Sequence, residues 1–236
     1  MKKFCTTIIG LICLICVVSP SFADDLEIGI VAFTNKNYAL AYEKLKPLAE
    51  QGNMTAQAFI GDLYYDGNGV PRNCELAVNW YTKAAKQGLL YAQFQLGHVN
   101  YMGECPHNYD EAFKWFVQAA EQGEVSSQSL LGYMYASGTG TTKDRKRAFY
   151  WFNRAAKQGD AKAQCYLGMY YSFGEGGALQ DYAQAYAWWN VSASQGNTIA
   201  KESMGKLSKK MSPDQIAKAQ ELSKQLYDEI YGGQKP

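Results

Sequence analysis

Few side chains in this chain are of the types that build a reactive centre. It contains two histidines, His98 and His107, which are nine positions apart, and Cys105 lies close to the second. A histidine and a cysteine can bind zinc, but two ligands do not complete the tetrahedral shell that zinc prefers, and the H-E-x-x-H spacing is absent. We therefore predict no metal site and no cofactor.

Two glycine-rich segments are similar in composition to phosphate-binding loops. They lie at residues 138–140 and 174–177. A phosphate-binding loop follows a strand and opens a helix, whereas neither segment follows a predicted strand and both occupy turns of a repeat. We predict that the protein is not an enzyme and that it has no catalytic residues.

The glycines recur at a nearly constant interval along the chain. Gln-Gly pairs are separated by steps of 36, 35, 36 and 37 residues, and a second glycine keeps the same interval. The pairs begin at Gln51, Gln87, Gln122, Gln158 and Gln195, and the second glycines are Gly61, Gly97, Gly132, Gly168 and Gly205. A period between about 20 and 50 residues is typical of stacked-repeat proteins.

One repeat contains the apolar pattern of two short helices. In residues 56–65 and 74–87 the apolar side chains fall at helical spacing and form one stripe on each predicted helix. These side chains are Ala56, Ile60, Leu63 and Tyr64 on the first helix and Ala77, Trp80, Tyr81, Ala84 and Ala85 on the second. A glycine such as Gly61 weakens a helix interior by about 1 kcal/mol relative to alanine. Its recurrence predicts that the partner helix approaches closely there.

The repeats divide the chain into an array with two different ends. We predict four repeats in residues 53–196, an N-terminal capping helix pair in residues 24–52 and a C-terminal capping pair in residues 197–236. The last helix has a strong start signal, because Ser212 is placed as N-cap, Pro213 at the first helical position and Gln215 at the capping-box position. The predicted fold is all-α, with about six antiparallel helix pairs.

Residues 1–23 have the pattern of a secretory signal peptide. Lys2 and Lys3 precede an apolar run at residues 4–18, and small residues precede a predicted cleavage site after Ala23. The run is shorter than the roughly 18–20 residues of a spanning helix, which argues against a membrane anchor. Isoleucine before Cys13 and Cys16 argues against lipidation. The mature chain is expected to be periplasmic or secreted, with no integral membrane segment.

The charge of the mature chain is close to zero. Removal of Lys2 and Lys3 from the 23 basic residues leaves 21 against 22 acidic residues, a net charge of −1. Such a surface has no basic field that would attract nucleic acid. We expect a monomer whose partner is a protein or a peptide.

Three cysteines remain after the predicted cleavage. Cys74 and Cys105 both fall in turns of neighbouring repeats, and an exported protein permits a disulfide between them. Adjacent repeats are further apart than a disulfide tolerates unless the two turns bend together, so the two thiols are either bridged or separate. Cys165 falls on a helix and is predicted to be an unpaired, packed thiol.

The repeat resembles a known family. The pattern A-x-x-x-[LI]-G-x-x-Y-x-x-G-x-G-V followed by A-x-x-W-[YF]-x-x-A-A-x-Q-G is similar to the Sel1-like repeat, a relative of the tetratricopeptide repeat. The third pair departs from it, with Asn100 in place of the tyrosine and Cys105-Pro106 in place of the second glycine and its valine. The resemblance implies a right-handed α-solenoid that binds other proteins. Exported bacterial members resemble envelope adaptors or regulators, and some act on host cells, so a secreted virulence factor is the alternative.

A hydrolase is a weaker alternative that the same resemblance raises. Some cysteine-rich proteins with such repeats resemble proteins described as β-lactamases, and Ser203 and Lys206 form an S-x-x-K motif. The S-D-N and K-T-G elements are absent, as are the paired cysteines of that subgroup. Gly205 inside the motif is a repeat glycine, which favours a coincidental match.

By analogy with tetratricopeptide arrays, the first helix of each pair lines the concave face. The positions expected to face the groove lie at −6, −3, +1, +4 and +5 relative to the repeat glycine, and in the third helix pair they are unusually aromatic. Six of these residues are predicted to form one stripe, namely Tyr65, Tyr91, Phe94, His98, Tyr101 and Tyr133. Aromatic anchors carry much of the energy of protein interfaces. The stripe suits an extended or helical peptide with apolar anchors rather than a highly charged ligand. The alternative is that several rings pack between repeats.

Overall fold

The computed structural model describes residues 22–102, 105 and 107–232, and gives the backbone alone for residues 22 and 23. Most of the predicted signal peptide, residues 1–21, lies outside the described residues. The described ranges contain twelve helices and no strand. In chain order the helices are α1 (Phe22–Thr34), α2 (Tyr38–Glu50), α3 (Met54–Asp66), α4 (Cys74–Lys86), α5 (Leu90–Met102), α6 (Tyr109–Glu121), α7 (Val125–Ser137), α8 (Arg145–Lys157), α9 (Ala161–Phe173), α10 (Tyr182–Ser194), α11 (Thr198–Ser208) and α12 (Pro213–Tyr231).

Consecutive helices pack as pairs, and each pair packs on the next. The strongest contacts join α3 to α4, α5 to α6, α7 to α8 and α9 to α10, and slightly weaker contacts join α4 to α5, α6 to α7 and α8 to α9. This order of contacts is that of an α-solenoid, so the predicted all-α solenoid fold is confirmed. Among the described residues, no helix is both long and apolar enough to cross a bilayer.

Side-chain caps and glycines set where the helices begin and end. Asn53, Asn73 and Asp160 each accept a hydrogen bond from a backbone N–H in the first turn of the helix that follows. Gly138 ends α7 with a φ of 83°, and Gly159 follows α8 with a φ of 94°, a region that L side chains rarely adopt. The turn residues are thus dictated locally.

The repeat glycines lie under aromatic rings of the partner helix. A Cβ atom added to Gly61 would lie 2.7 Å from Cδ1 of Tyr81, and one added to Gly132 would lie 2.5 Å from Cδ1 of Phe152. The predicted close approach is therefore confirmed, and the approaching group is a ring. The same contact joins Gly97 to Phe116 and Gly168 to Trp189.

A row of buried glutamines connects successive repeats. Gln57, Gln93, Gln128 and Gln164 are the buried members, with exposed fractions of 4%, 3%, 0% and 0%. Each donates its side-chain amide to a carbonyl of the preceding second helix, and its Oε1 accepts from the glutamine of a later Gln-Gly pair. We call these residues the glutamine ladder. It satisfies polar groups that would otherwise be unpaired inside the stack.

The C-terminal helices differ from the predicted capping pair. α12 packs against α10, where we expected it to pair with α11, and the hydroxyl of Tyr231 at its end reaches the carbonyl of Gly159, 3.3 Å away. No ring therefore lies over Gly205, and a Cβ atom there would meet nothing within 4 Å. The repeat pattern predicts a glycine contact at this position, and that prediction is wrong because the partner helix runs elsewhere.

Candidate functional site

The first helices of the pairs lie on the inner side of the solenoid. Contacts join α1 to α3, α7 to α9 and α9 to α11, whereas successive second helices from α2 to α10 make no contacts of that extent in the described ranges. Elements that approach one another across a stack lie on the side of smaller radius. These contacts favour the prediction that the odd-numbered helices line the concave face.

The six aromatic residues predicted for this face differ in their exposure and in their surroundings. Tyr65, Tyr91 and His98 line one cavity, and 46% of the Tyr91 residue surface is exposed. The rings of Phe94 and Tyr101 are half-buried and lie 6.3 and 6.1 Å from the ring of Phe116, which is fully buried. These two rings pack mainly within their own repeat.

Tyr133 stands apart from the cavity. It is 41% exposed, and its ring lies 6.3 Å from that of Tyr166, a half-buried residue of the next repeat. The Tyr166 ring in turn stacks on Phe152 at 4.5 Å. Tyr133 and Tyr166 thus place a second aromatic group on the concave face, separated from the first by the packed rings.

The cavity has a volume of about 600 Å³ and extends across three helix pairs, namely the N-terminal pair and the first two repeats. Residues from α1, α3 and α5 form its walls, with Tyr81 of α4 at the back. The lining residues are Phe33, Thr55, Ala58, Phe59, Asp62, Tyr65, Asp66, Tyr81, Leu89, Tyr91, Gln95 and His98. Most of this surface is apolar, and its charged groups are carboxylates.

Asp62 is the buried polar centre of the cavity. Only 6% of its residue surface is exposed. The hydroxyl of Tyr81 donates to Oδ1 at 2.7 Å, and the hydroxyl of Tyr91 donates to the same carboxylate at 2.9 Å from Oδ1 and 3.0 Å from Oδ2. Gln95 donates its amide to the Tyr91 hydroxyl at 3.0 Å. The carboxylate is therefore held in one orientation by groups from α4 and α5.

Burial changes the acidity of this group. Desolvation raises the pKa of Asp62 from 3.8 to about 6, although the hydrogen bonds from Tyr81 and Tyr91 lower it and the nearby Asp66 raises it further. Desolvation, followed by the negative charge of Asp62, also raises the pKa values of Tyr81 and Tyr91 well above the usual tyrosine value. Both hydroxyls are consequently donors across the physiological pH range.

Several cavity residues were outside the sequence prediction. Phe59 and Gln95 occupy position −2 relative to their repeat glycines, which we did not assign to the groove, and Phe33 belongs to the irregular first pair. Phe33 and Phe59 contact each other edge to face at 4.8 Å. Position −2 is the signal that would have identified two of these residues from the sequence.

The cysteines lie away from the cavity lining. The Sγ atoms of Cys74 and Cys105 are 2.09 Å apart and the two Cα atoms 5.8 Å apart, so the structure contains a disulfide between neighbouring repeats. Cys165 is a free, buried thiol, and burial raises its pKa. A neutral, inaccessible thiol is a poor nucleophile.

The other candidate chemical groups are dispersed. His98 lies in the cavity, whereas His107 stacks on Tyr109 at 5.6 Å, and no cluster of three metal-ligating side chains occurs among the described residues. The Lys206 ammonium pairs with Glu202 at 2.6 Å, one turn before it on α11. The side chain that the S-x-x-K motif would need is therefore engaged with a carboxylate.

The sequence and the structure were each compared with known proteins. A family profile described as the Sel1 repeat matches residues 55–89, 90–124, 125–160 and 161–197. A search of curated proteins returned no significant match. The repeats matched by the profile contain most of the cavity.

Two solved structures share both fold and sequence similarity with the chain. The first is c5321, a protective antigen present in uropathogenic Escherichia coli strains that displays an SLR fold, with 32% identity, a TM-score of 0.78 and coverage of 89% of this chain and 46% of that chain. The chain thus spans about half the length of c5321. The second is a Sel1 repeat protein from Oxalobacter formigenes, with 37% identity, a TM-score of 0.69 and coverage of 75% and 72%.

Proposed function

We propose, from the premise that this chain belongs to the Sel1 repeat family, that it is an exported scaffold that binds another protein or peptide. The partner binds through the concave face, and the protein acts as an adaptor or regulator in the bacterial envelope. Sel1 repeats typically mediate protein interaction, and proteins of this family are generally non-catalytic scaffolds. The concave face and the envelope role are the parts that need testing.

The single observation that carries this proposal is the concave cavity. It is a preformed recess of about 600 Å³ built from positions that differ between repeats, whereas the repeating positions form the core. Recesses with apolar walls and a few polar groups are where proteins bind ligands. Exposed Tyr91 and Tyr133 add aromatic anchors at two points along the same face.

Export is the part of the proposal that rests on the N-terminal sequence. The basic start, the apolar run and the small residues before Asp24 support cleavage after Ala23. The Cys74–Cys105 disulfide supports an oxidising compartment. We propose a periplasmic or secreted monomer without nucleic-acid binding. N-terminal sequencing of the protein from the periplasm tests this, since the mature chain should begin at Asp24.

The similarity to c5321 supports a second candidate. That protein is a protective antigen of uropathogenic strains, so a secreted factor that binds a host protein is the alternative role of the same concave face. The two roles differ in the source of the partner. A partner found in the bacterial envelope supports the adaptor, and a partner found only in host material supports the secreted factor.

Catalysis is not part of the proposal. The S-x-x-K motif of Ser203 and Lys206 lies on α11, and Lys206 pairs with Glu202. A hydrolase predicts turnover of a chromogenic β-lactam that disappears in Ser203→Ala, whereas the scaffold predicts no turnover by either protein. Measurable turnover that depends on Ser203 would contradict the scaffold proposal and support the hydrolase.

The scaffold is tested by photo-crosslinking from single sites in the full-length protein. A photoreactive phenylalanine replaces Tyr91 or Tyr133 on the concave face, or Tyr150 on the outer helix α8, where the residue is 54% exposed. Tyr150 is the matched control because the same residue type is replaced at similar exposure. We expect the two concave sites to cross-link to one partner segment, as identified by mass spectrometry.

The cross-links also separate anchoring from structural packing. Tyr91→Ala and Tyr133→Ala are the informative variants, because Phe94 and Tyr101 pack on buried Phe116 and their removal would disturb the fold. Loss of capture with an unchanged circular dichroism melt supports the groove. Equal cross-linking from Tyr150 would show that the concave face is not the binding surface.

A further inference from the structure

We infer that the cavity around Asp62 receives an arginine side chain of the bound polypeptide. This inference rests on the proposed concave-face binding and adds the chemistry that the partner must present. The cavity has a carboxylate at its floor, aromatic rings in its walls and a second carboxylate at its edge. These are the groups that recognise a planar organic cation.

The Asp62 carboxylate has hydrogen-bond acceptor positions that the hydroxyls of Tyr81 and Tyr91 leave unoccupied. A carboxylate offers about four acceptor positions, and here the hydroxyls of Tyr81 and Tyr91 supply one proton each. Tyr91 spans both oxygens, at 2.9 and 3.0 Å, so its single proton is shared. Both tyrosines hold the carboxylate in place without neutralising its charge. A guanidinium that donates two parallel hydrogen bonds would supply what is missing.

The second argument is the aromatic wall. Phe33, Phe59, Tyr65 and Tyr91 line the same recess as Asp62. The faces of aromatic rings attract cations, and the attraction strengthens where water is excluded. Tyr65 already has one such neighbour, because the guanidinium of Arg72 lies 5.6 Å from its ring centre. Arg72 itself does not line the cavity.

The third argument is charge. Asp66 lines the cavity together with Asp62, and no lysine or arginine is among its described lining residues. Two acidic side chains in a lining that holds no lysine or arginine attract a cation and repel an acidic peptide. A cation from the partner would compensate the negative charge of the buried Asp62 carboxylate.

The acidity of Asp62 is consistent with this picture. Its pKa is raised because burial disfavours the charged form, and a bound guanidinium would favour the charged form and lower the pKa again. Binding and deprotonation are therefore coupled. The other groups that face this carboxylate are Tyr81 from α4, Tyr91 and Gln95 from α5 and Asp66 on α3, and His98 lines the same recess.

The experiment compares two peptides that differ only in charge. A tetramethylrhodamine-labelled, extended heptapeptide carries arginine at its central position and uncharged side chains elsewhere, and its twin carries citrulline, which keeps the shape and loses the charge. Fluorescence polarisation against the mature protein gives both dissociation constants. We expect the arginine peptide to bind about tenfold tighter, and Asp62→Asn to remove that difference. Asp228→Asn, an exposed change on α12, is the matched control and should preserve it.

A second measurement uses the unchanged protein, so the test does not depend on the folding of a variant. The arginine preference should shrink at about pH 5, where Asp62 is largely protonated, and return at about pH 7.5. The same pH series on Asp62→Asn is the control, because this variant removes the Asp62 carboxylate and leaves the rest of the cavity lining, including His98, in place.

The outcomes distinguish this inference from the proposed function. Equal binding of both peptides would overturn the arginine site and leave the concave groove intact. Absence of binding by either peptide would also overturn the arginine site, while the cross-links from Tyr91 and Tyr133 judge the groove independently. Tighter binding of the citrulline peptide than of the arginine peptide would contradict the charge assignment and likewise overturn the arginine site.

Discussion

The side-chain amide of Gln158 donates a hydrogen bond to Oε1 of Gln128, 2.7 Å away, although the two residues are thirty positions apart in the chain. Gln128 in turn donates to the carbonyl of Ala120, so one buried side chain connects three successive helices. The same arrangement recurs in every repeat of the glutamine ladder. A recurring polar contact inside an apolar stack fixes the register of neighbouring repeats, because each displaced amide would lose its partners.

We predict that Gln128→Leu destabilises the protein by about 2 kcal/mol, because it removes two buried hydrogen bonds, one to the Ala120 carbonyl and one from the Gln158 amide. Chemical denaturation measures the loss. Gln225→Leu is the control, since Gln225 is exposed on α12 and donates to Glu221, which lies one turn earlier on the same helix. A similar loss of free energy in both variants would argue against the ladder as a source of stability.

Two glycines at the same motif position are predicted to respond with opposite signs. In Gly132→Ala the new Cβ would meet Phe152 at 2.5 Å, so the ring must move and the variant should lose about 1–3 kcal/mol. In Gly205→Ala the Cβ meets nothing within 4 Å, and the exposed helix α11 should gain up to about 1 kcal/mol.

Thermal and denaturant unfolding of both alanine variants test this pair. The cost of Gly132→Ala should fall when Phe152→Leu is already present, because the smaller side chain yields more easily. Equal effects at both glycines would show that helix propensity, and not the ring contact, explains the motif.

The disulfide between Cys74 and Cys105 should contribute about 3–4 kcal/mol, because it closes a loop with a sequence separation of 31 residues. We expect Cys74→Ser with Cys105→Ser to lower the free energy of unfolding by that amount, and a reductant to reproduce the effect in the unchanged protein but not in the variant. Thiol labelling of the denatured mature chain should detect Cys165 alone before reduction. Labelling of all three cysteines before reduction would contradict the bridge.

Asp62 should make stability fall as the pH rises. Its pKa is about 6 in the folded protein against 3.8 as the ordinary value, so between these values the folded state binds more protons than the unfolded state. Stability from this group is therefore greatest below about pH 4 and is lost as the pH rises through about 6. The rise in the pKa of Asp62 by roughly two corresponds to about 3 kcal/mol in the free energy of unfolding.

Asp62→Asn isolates that contribution. The variant should be more stable than the parent at pH 7, and this difference in stability should disappear near pH 4. Both proteins are measured at each pH, so the contributions of the other carboxylates, which they share, drop out of the difference. Denaturant unfolding across this range provides the measurement. A variant that is less stable than the parent at pH 7 would show that the charged form is favoured inside the protein.

The repeated part of the fold follows from local sequence. The Gln-Gly interval, the apolar stripes and the cap residues such as Asn53 and Asp160 identify the helices within a few positions, since helix limits depend on neighbouring residues. Gly61 also predicts a close contact from the local sequence. Glycine destabilises a helix interior, so its presence there indicates that a neighbouring group approaches too closely for a Cβ atom. The family and the solenoid are accessible at this level.

The concave site depended on contacts between distant segments. The sequence places Tyr91, Phe94 and Tyr101 on one face of α5, but only the stack shows that Phe94 and Tyr101 lie on Phe116 while Tyr91 reaches Asp62. Helical spacing defines a face and does not define which neighbour covers it.

The packing of α12 is the clearest feature that tertiary contacts decide. Its capping box at Ser212 and Gln215 is legible in the sequence and is present in the structure. The helix that α12 packs against cannot be predicted from the sequence, because an apolar stripe fits any complementary surface. In the structure α12 makes more contact with α10 than with α11. Local chemistry thus sets where each helix begins and ends, whereas competition among buried surfaces decides which faces meet, which ring covers Gly132 and which carboxylate remains in the groove.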